Sequence, residues 1–351
     1  MSGDRDNGAV PVLRRFERVP DGFLDADAVG VAGLLGGPAL IELPGERSRP
    51  LCVAILLHGN EITGLAAVQR LLRRYRGRAL PRALTLFVGN VAATVAGMRR
   101  LPEQPDYNRI WPRASGGGPA VAPCAETDLA RTVYAALAAR HPFAVVDVHN
   151  NNGRNPHYAC VNVLDAGSLR LAAGFGRRVL YFTDPEGTFS GAFAGTAPAV
   201  TLECGRPGEA AGTAHAEAYL ERLMHRADLG HTMPGPDEID LHRSAVRLHV
   251  PEAVSVAVGP GRAQLLLRPD LDALNWVPQP AGTPLGRIAV PLGGAALTAL
   301  APGGADATGA YLRRRGDAIV LARPATPAMF TTDIRMVRLD CLGYLLERVA
   351  L

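Results

Sequence analysis

Two side chains three residues apart, His58 and Glu61, break off the apolar run Val53-Ala54-Ile55-Leu56-Leu57. A third, His149, ends another such run, Phe143-Ala144-Val145-Val146-Asp147-Val148. Imidazole nitrogens and a carboxylate oxygen, each about 2 Å from a common point, are what a zinc ion takes; three protein ligands with the fourth position left to water is the pattern of a catalytic site. A third apolar run, Ala199-Val200-Thr201-Leu202, ends on Glu203. If the three runs are neighbouring strands, Glu203 reaches the same rim and can take a proton from a water on the metal. Singly, each feature is ordinary: His-x-x-Glu pairs are common, and an acid at the start of a helix is favoured by the helix dipole. Three runs ending the same way favour the metal reading.

These side chains need a scaffold. Short continuous apolar runs rich in β-branched residues read as strands buried on both faces, and residues 65–75 have helical periodicity. His58 and Glu61 then sit on a strand-to-helix turn at the carboxyl end of a strand, the usual ligand site of an open α/β sheet. Residues 39–43 read as a strand pairing with 52–57, and 84–89 as the next strand. Residues 126–139, 168–174 and 211–226 read as helices, and 157–164 as a strand. Asp147 shares the side-chain parity of His149 and is placed to orient its ring. The Pro/Gly-rich loop 101–123 carries Asp106, Asn108 and Arg109; a guanidinium fork beside an amide suits a substrate carboxylate. The alternative is an ordinary ion pair between Arg109 and Asp106. After His149, the polar turn 150–156 offers Asn150, Arg154 and Asn155 as substrate contacts. A linker at 233–236 precedes short alternating segments at 245–250, 263–267 and 318–321. This divides the chain into a catalytic domain, 1–232, and a β-rich C-terminal domain, 233–351, packing near the active site.

Four motifs, His58-Gly59-Asn60-Glu61, Asp106-Tyr107-Asn108-Arg109, Asp147-Val148-His149-Asn150 and Leu202-Glu203-Cys204-Gly205, occur in this order. The order resembles that of the aspartoacylase and succinylglutamate desuccinylase family, a branch of the zinc carboxypeptidase fold, well over 51–220 and more loosely beyond. The resemblance implies an α/β fold with a mixed sheet flanked by helices and a smaller β-rich C-terminal domain. It also implies Zn²⁺ held by His58, Glu61 and His149, Glu203 as general acid/base, and Asn108 with Arg109 as a carboxylate clamp. An upstream arginine polarises the scissile carbonyl in that family; Arg100 is the nearest candidate, with Arg99 as the alternative. Gly309-Ala310-Tyr311 is similar to the segment that brings a tyrosine over the pocket. Where aspartoacylases carry a Tyr and an Arg for a second carboxylate, this sequence has Phe189 and Phe193. That argues against N-acetylaspartate and for an apolar substrate group, although both rings are equally suited to a core.

Composition narrows the remaining classes. The net charge of +4 comes from arginines scattered among 351 residues without a single lysine, which is not the clustered footprint of a nucleic-acid binder. No apolar run approaches the ~20 residues that span a bilayer. The N-terminus lacks a secretory pattern, and five widely spaced cysteines read as reduced thiols, so a cytoplasmic protein is expected. No nucleophile elbow or phosphate loop is present. The reading is a zinc amidohydrolase acting on a small N-acyl amino acid, without nucleic-acid or membrane partners and with a homo-oligomer left open. A zinc carboxypeptidase acting on small peptides and a non-catalytic zinc-scaffold binding protein are the alternatives.

Overall fold

The computed structural model describes residues 11–113, 121–182, 184–291 and 293–350. The reading of the N-terminal ten residues and the middle of the 101–123 loop lie outside them. At the centre, strands Gly45–Ile55, Ala144–His149 and Ala199–Glu203 run parallel and side by side, with Ala54 opposite Asp147 and His149 opposite Glu203. The adjacency on which the sequence reading depended is therefore present. Gly45–Ile55 also pairs in parallel with Leu80–Val88 on its other side. The chain thus leaves this strand in one direction and returns in the other, which opens a crevice at the carboxyl ends.

Alternation along the strands fixes the two layers. Val53, Ile55, Val146, Val148, Val200 and Leu202 bury against helices Thr63–Arg74, Ala166–Phe175 and Ala210–His225. Cys52, Ala54, Val145 and Ala199 face the other way, toward helix Ala125–Ala138, Trp111, Phe189 and Phe193. The two-residue period then puts Asp147, His149, Thr201 and Glu203 on this second face. In Thr63–Arg74, Leu65, Val68, Leu71 and Leu72 are buried while Arg70, Arg73 and Arg74 are exposed, as the helical periodicity required.

The edges differ from the expectation. Strand Ala39–Leu43 pairs antiparallel with Leu80–Val88 rather than with the strand that follows it across a turn. Nor does the chain divide cleanly at 232/233. Strand Asp240–His249 pairs in parallel with Arg178–Tyr181 and antiparallel with Gly343–Arg348, so the C-terminal third continues the same sheet to twelve strands among the described residues. The remainder forms a separate five-stranded sheet. The result is a large mixed sheet flanked by helices with a smaller second sheet. Among the described residues, no helix is long and apolar enough to cross a membrane.

Candidate active site

Past Ile55 the chain turns sharply. Leu56 takes a φ of 54°, in the left-handed region, and its carbonyl accepts from Asn90 N–H at 2.7 Å. Gly59 follows, pressed so close to helix Val91–Val95 that a Cβ would lie 2.3 Å from the Ala93 carbonyl carbon; only glycine fits. Glu61 N–H donates to His58 O at 3.0 Å, closing the turn so that both side chains face the crevice.

The two imidazoles and the carboxylate then meet. His58 Nδ1 lies 2.8 Å from Glu61 Oε1, His149 Nδ1 lies 2.7 Å from Glu61 Oε2, and the two Nδ1 atoms are 3.1 Å apart. On the far side of each ring, Nε2 faces a carboxylate: Asp106 Oδ1 at 2.9 Å for His58 and Asp147 Oδ2 at 2.8 Å for His149. Carboxylates only accept, so Nε2–H is the donor in each pair, and each neutral ring presents its Nδ1 lone pair. Two lone pairs and a carboxylate converging on one buried point favour a cation between them. The donor set, two imidazoles and one carboxylate, suits zinc. Without a metal the same demand falls on a proton: burial disfavours charge on His149, but the Asp147 and Glu61 carboxylates outweigh it and hold the ring well above its usual range. Burial would likewise raise Glu61, yet the two imidazoles hold it well below the usual carboxylate range.

Glu203 lines the same cavity from the adjacent strand. Its Oε2 accepts from Asn151 Nδ2 at 2.6 Å, and Asn151 Oδ1 accepts from Tyr158 O–H at 3.2 Å, so two side chains fix the carboxyl group. Burial pushes its pKa up to about 8, with His149 opposing and the Glu61 and Asp147 carboxylates adding to the rise. A carboxyl group held near neutrality can both take and return a proton.

The other candidates separate into two groups. Asn108 and Arg109 line the cavity. The Asn108 amide is fixed by Phe189 N–H donating to its Oδ1 at 2.8 Å, and Arg109 Nη1 donates to Asn108 O at 2.7 Å. Asp106 pairs with Arg99, not Arg109. Asn150 also lines the cavity, but its side chain is engaged with Thr63 and Gly205, while its backbone N–H donates to Glu61 Oε2 at 3.0 Å. That backbone bond braces Glu61.

Arg100, Arg154 and Tyr311 are not among the described residues that line the cavity. Arg100 turns away and donates to Gln104 O, whereas Arg99 lines the cavity and donates to Asp106 and Glu61. Arg154 is held by Asp272, with Nε and Nη2 donating to Oδ1 at 3.0 and 2.9 Å, and so ties the His149 loop to the C-terminal part. Tyr311 donates to Glu347 Oε1 at 2.7 Å and packs in the second core. The tyrosine that reaches the cavity is Tyr344, on a strand of the large sheet, accompanied by Met329, Thr331, Met336, Asp340 and Cys341. Phe189 and Phe193 are fully buried against Trp111 and each other, in the core and not on the cavity wall. Of the residues missed, Asp106 lay inside one of the four motifs and Asn151 directly after another, and both needed only partners; the C-terminal wall carried no local signal.

Residues 53–226 match the model of the succinylglutamate desuccinylase/aspartoacylase catalytic domain. Over that segment the chain belongs to that family. Among solved structures it is similar to the succinylglutamate desuccinylase of Chromobacterium violaceum, at 17% identity over 89% of each chain with a TM-score of 0.56. The succinylglutamate desuccinylase/aspartoacylase of Rhodobacter sphaeroides gives 14% identity over 88% of this chain and 89% of that one, with a TM-score of 0.57. Murine aminoacylase 3 gives 14% over 87% and 96%, with a TM-score of 0.51. At these identities the structural likenesses speak for the fold, which in the family extends over the C-terminal part as well as the matched domain. No curated protein matches the sequence.

Proposed function

We propose that the protein is a zinc-dependent deacylase of small N-acyl amino acids. The observation that carries the reading is the convergence of His58 Nδ1, His149 Nδ1 and the Glu61 carboxylate on one buried point, with Glu203 lining the same cavity. His58, Glu61 and His149 would hold the ion, which when bound supplies a Lewis acid for the acyl carbonyl and lowers the pKa of water. Glu203, steadied by Asn151, takes the proton of the attacking water and returns it to the leaving amide nitrogen. Arg99 places a buried guanidinium beside the site, where negative charge grows on the carbonyl oxygen. Arg109, which lines the cavity, receives the substrate carboxylate, and Tyr344 lines the cavity beside it. The cavity is about 100 Å³.

Metal analysis of the purified protein is expected to give about one zinc per chain. Glu203→Gln should keep that zinc and lose about 10²- to 10⁴-fold in kcat for N-acyl amino acids. Equal turnover by both forms would remove Glu203 from the chemistry, and absence of turnover by the unaltered protein on any N-acyl amino acid would remove the deacylase reading.

A further inference from the structure

Arg99 and Arg109 are the arginines that line the cavity among the described residues, and both face one carboxylate, that of Asp340. Arg99 Nη2 lies 3.7 Å from Asp340 Oδ2, and Arg109 Nη2 lies 3.9 Å from Oδ1. Asp340 caps helix Ile334–Leu339, its backbone N–H bonding to Met336 O, and Met336, Cys341 and Leu342 are buried around it. Its carboxylate is 31% exposed, against 9% and 19% for the two arginine side chains. The acid is thus the part of this trio most open to an arriving ligand, on an anchored segment. At 3.7 and 3.9 Å it acts on the guanidinium groups as a neighbouring charge and not as a directly bonded partner.

The charges facing the cavity then count as follows. Outside the metal site, where His58, Glu61 and His149 would hold the zinc, two guanidinium groups stand against the carboxyl groups of Glu203 and Asp340, and Arg99 is already engaged by Asp106 and Glu61. Arg109 alone keeps capacity for an incoming carboxylate, partly compensated by Asp340. A second carboxylate would find only neutral groups: Asn162, Ser190 and Thr201 are hydrogen-bonded to one another, and Phe182, Met329 and Met336 are apolar. In a buried cavity, like charges are weakly screened.

We propose that Asp340 is a specificity-determining residue, set beside Arg99 and Arg109 so that the site accepts acyl amino acids with one carboxylate and rejects those with two. This rests on the deacylase reading of the same cavity. The physical ground differs from the aromatic substitutions at Phe189 and Phe193, which the fold places in the core.

Calorimetric binding to the Glu203→Gln protein, with N-acetyl-L-methionine and N-acetyl-L-aspartate as probes, separates the charge effect from turnover. N-acetylmethionine is expected to bind about tenfold tighter or better. Adding Asp340→Asn should close that gap by about tenfold, mainly by tightening N-acetylaspartate, while Asp340→Glu keeps it. A merely structural role for Asp340 would weaken both ligands together and leave the ratio unmoved; that result, a preference for N-acetylaspartate with Asp340 in place, or failure to bind either probe, would overturn the proposal. Hydrolysis assays with Glu203 intact address the other reading: charge-selective binding without any turnover would remove the deacylase assignment and leave the role of Asp340 standing.

Discussion

The rim of the cavity and its wall come from two regions built in different ways. The rim is made where parallel strands stop: His58 and Glu61 follow Gly45–Ile55, His149 ends Ala144–His149, and Glu203 ends Ala199–Glu203. Each of these four side chains lies within a few residues of an apolar run, because the fold delivers these strand ends to one crevice. The wall, with Met329, Met336, Asp340 and Tyr344, depends on Gly343–Arg348 finding Asp240–His249 and on a short helix packed beside them. Nothing local marks those residues. The rim of the cavity is thus encoded at strand ends, and its wall by long-range pairing.

The sharpest way to break this contrast lies on the rim. Arg99→Ala should lower kcat/KM by about 10²- to 10³-fold by removing the buried positive charge beside the site. Arg100→Ala should stay within about twofold, since its guanidinium is tied to a backbone carbonyl outside the cavity. Steady-state kinetics of the two variants decide between neighbouring arginines; the reverse outcome would mean that the loop is arranged differently in solution. A smaller effect is expected one layer back. Asp106→Asn leaves His58 in place but weakens the acceptor that fixes its tautomer, and competition with a chelator should show zinc affinity falling about 10- to 100-fold. Unchanged affinity would make Asp106 only a partner of Arg99.

The smallest effect belongs to the joint between rim and wall. Burial tends to raise the Asp272 carboxyl, but hydrogen bonds and charge from Arg154, with Arg206 nearby, hold it below its ordinary range. A depressed folded-state value means that the stabilisation is full above the unfolded value of about 3.9 and is lost as pH falls through the folded one. Asp272→Asn should therefore cost about 1–2 kcal/mol at pH 7 in denaturant unfolding. The difference from the unaltered protein should shrink below about pH 4. A difference that stays constant through that window would assign the effect to packing.

What was legible follows the same division. Apolar runs located the three central strands, and residue types at their ends located the side chains that converge on one cavity, since burial on both faces leaves a strand little choice of sequence. Arg100 was misplaced because a loop has no period: adjacent residues point to different sides, and only the partners Asp106 and Gln104 separate Arg99 from Arg100. Phe189 and Phe193 lie on a short helix, Phe189–Ala192, and its cap, where an aromatic ring serves a core as readily as a pocket. Tyr311 and Tyr344 are both C-terminal tyrosines, and only strand pairing tells which one reaches the cavity. The expected domain boundary failed because strand Asp240–His249 looks the same in sequence whether it starts a new sheet or continues an old one.

That continuation limits how the protein can be dissected. Cutting the chain after the last helix of the matched segment would strip Arg178–Tyr181 of its neighbour and leave a bare row of backbone donors and acceptors inviting self-association. It would also abandon Asn155, whose side-chain oxygen accepts from Met329 N–H, and Arg154, whose carbonyl accepts from Asn275. Expression of the hydrolytic portion alone should yield aggregates, and grafting its chemistry onto another scaffold would require carrying the distal strands along.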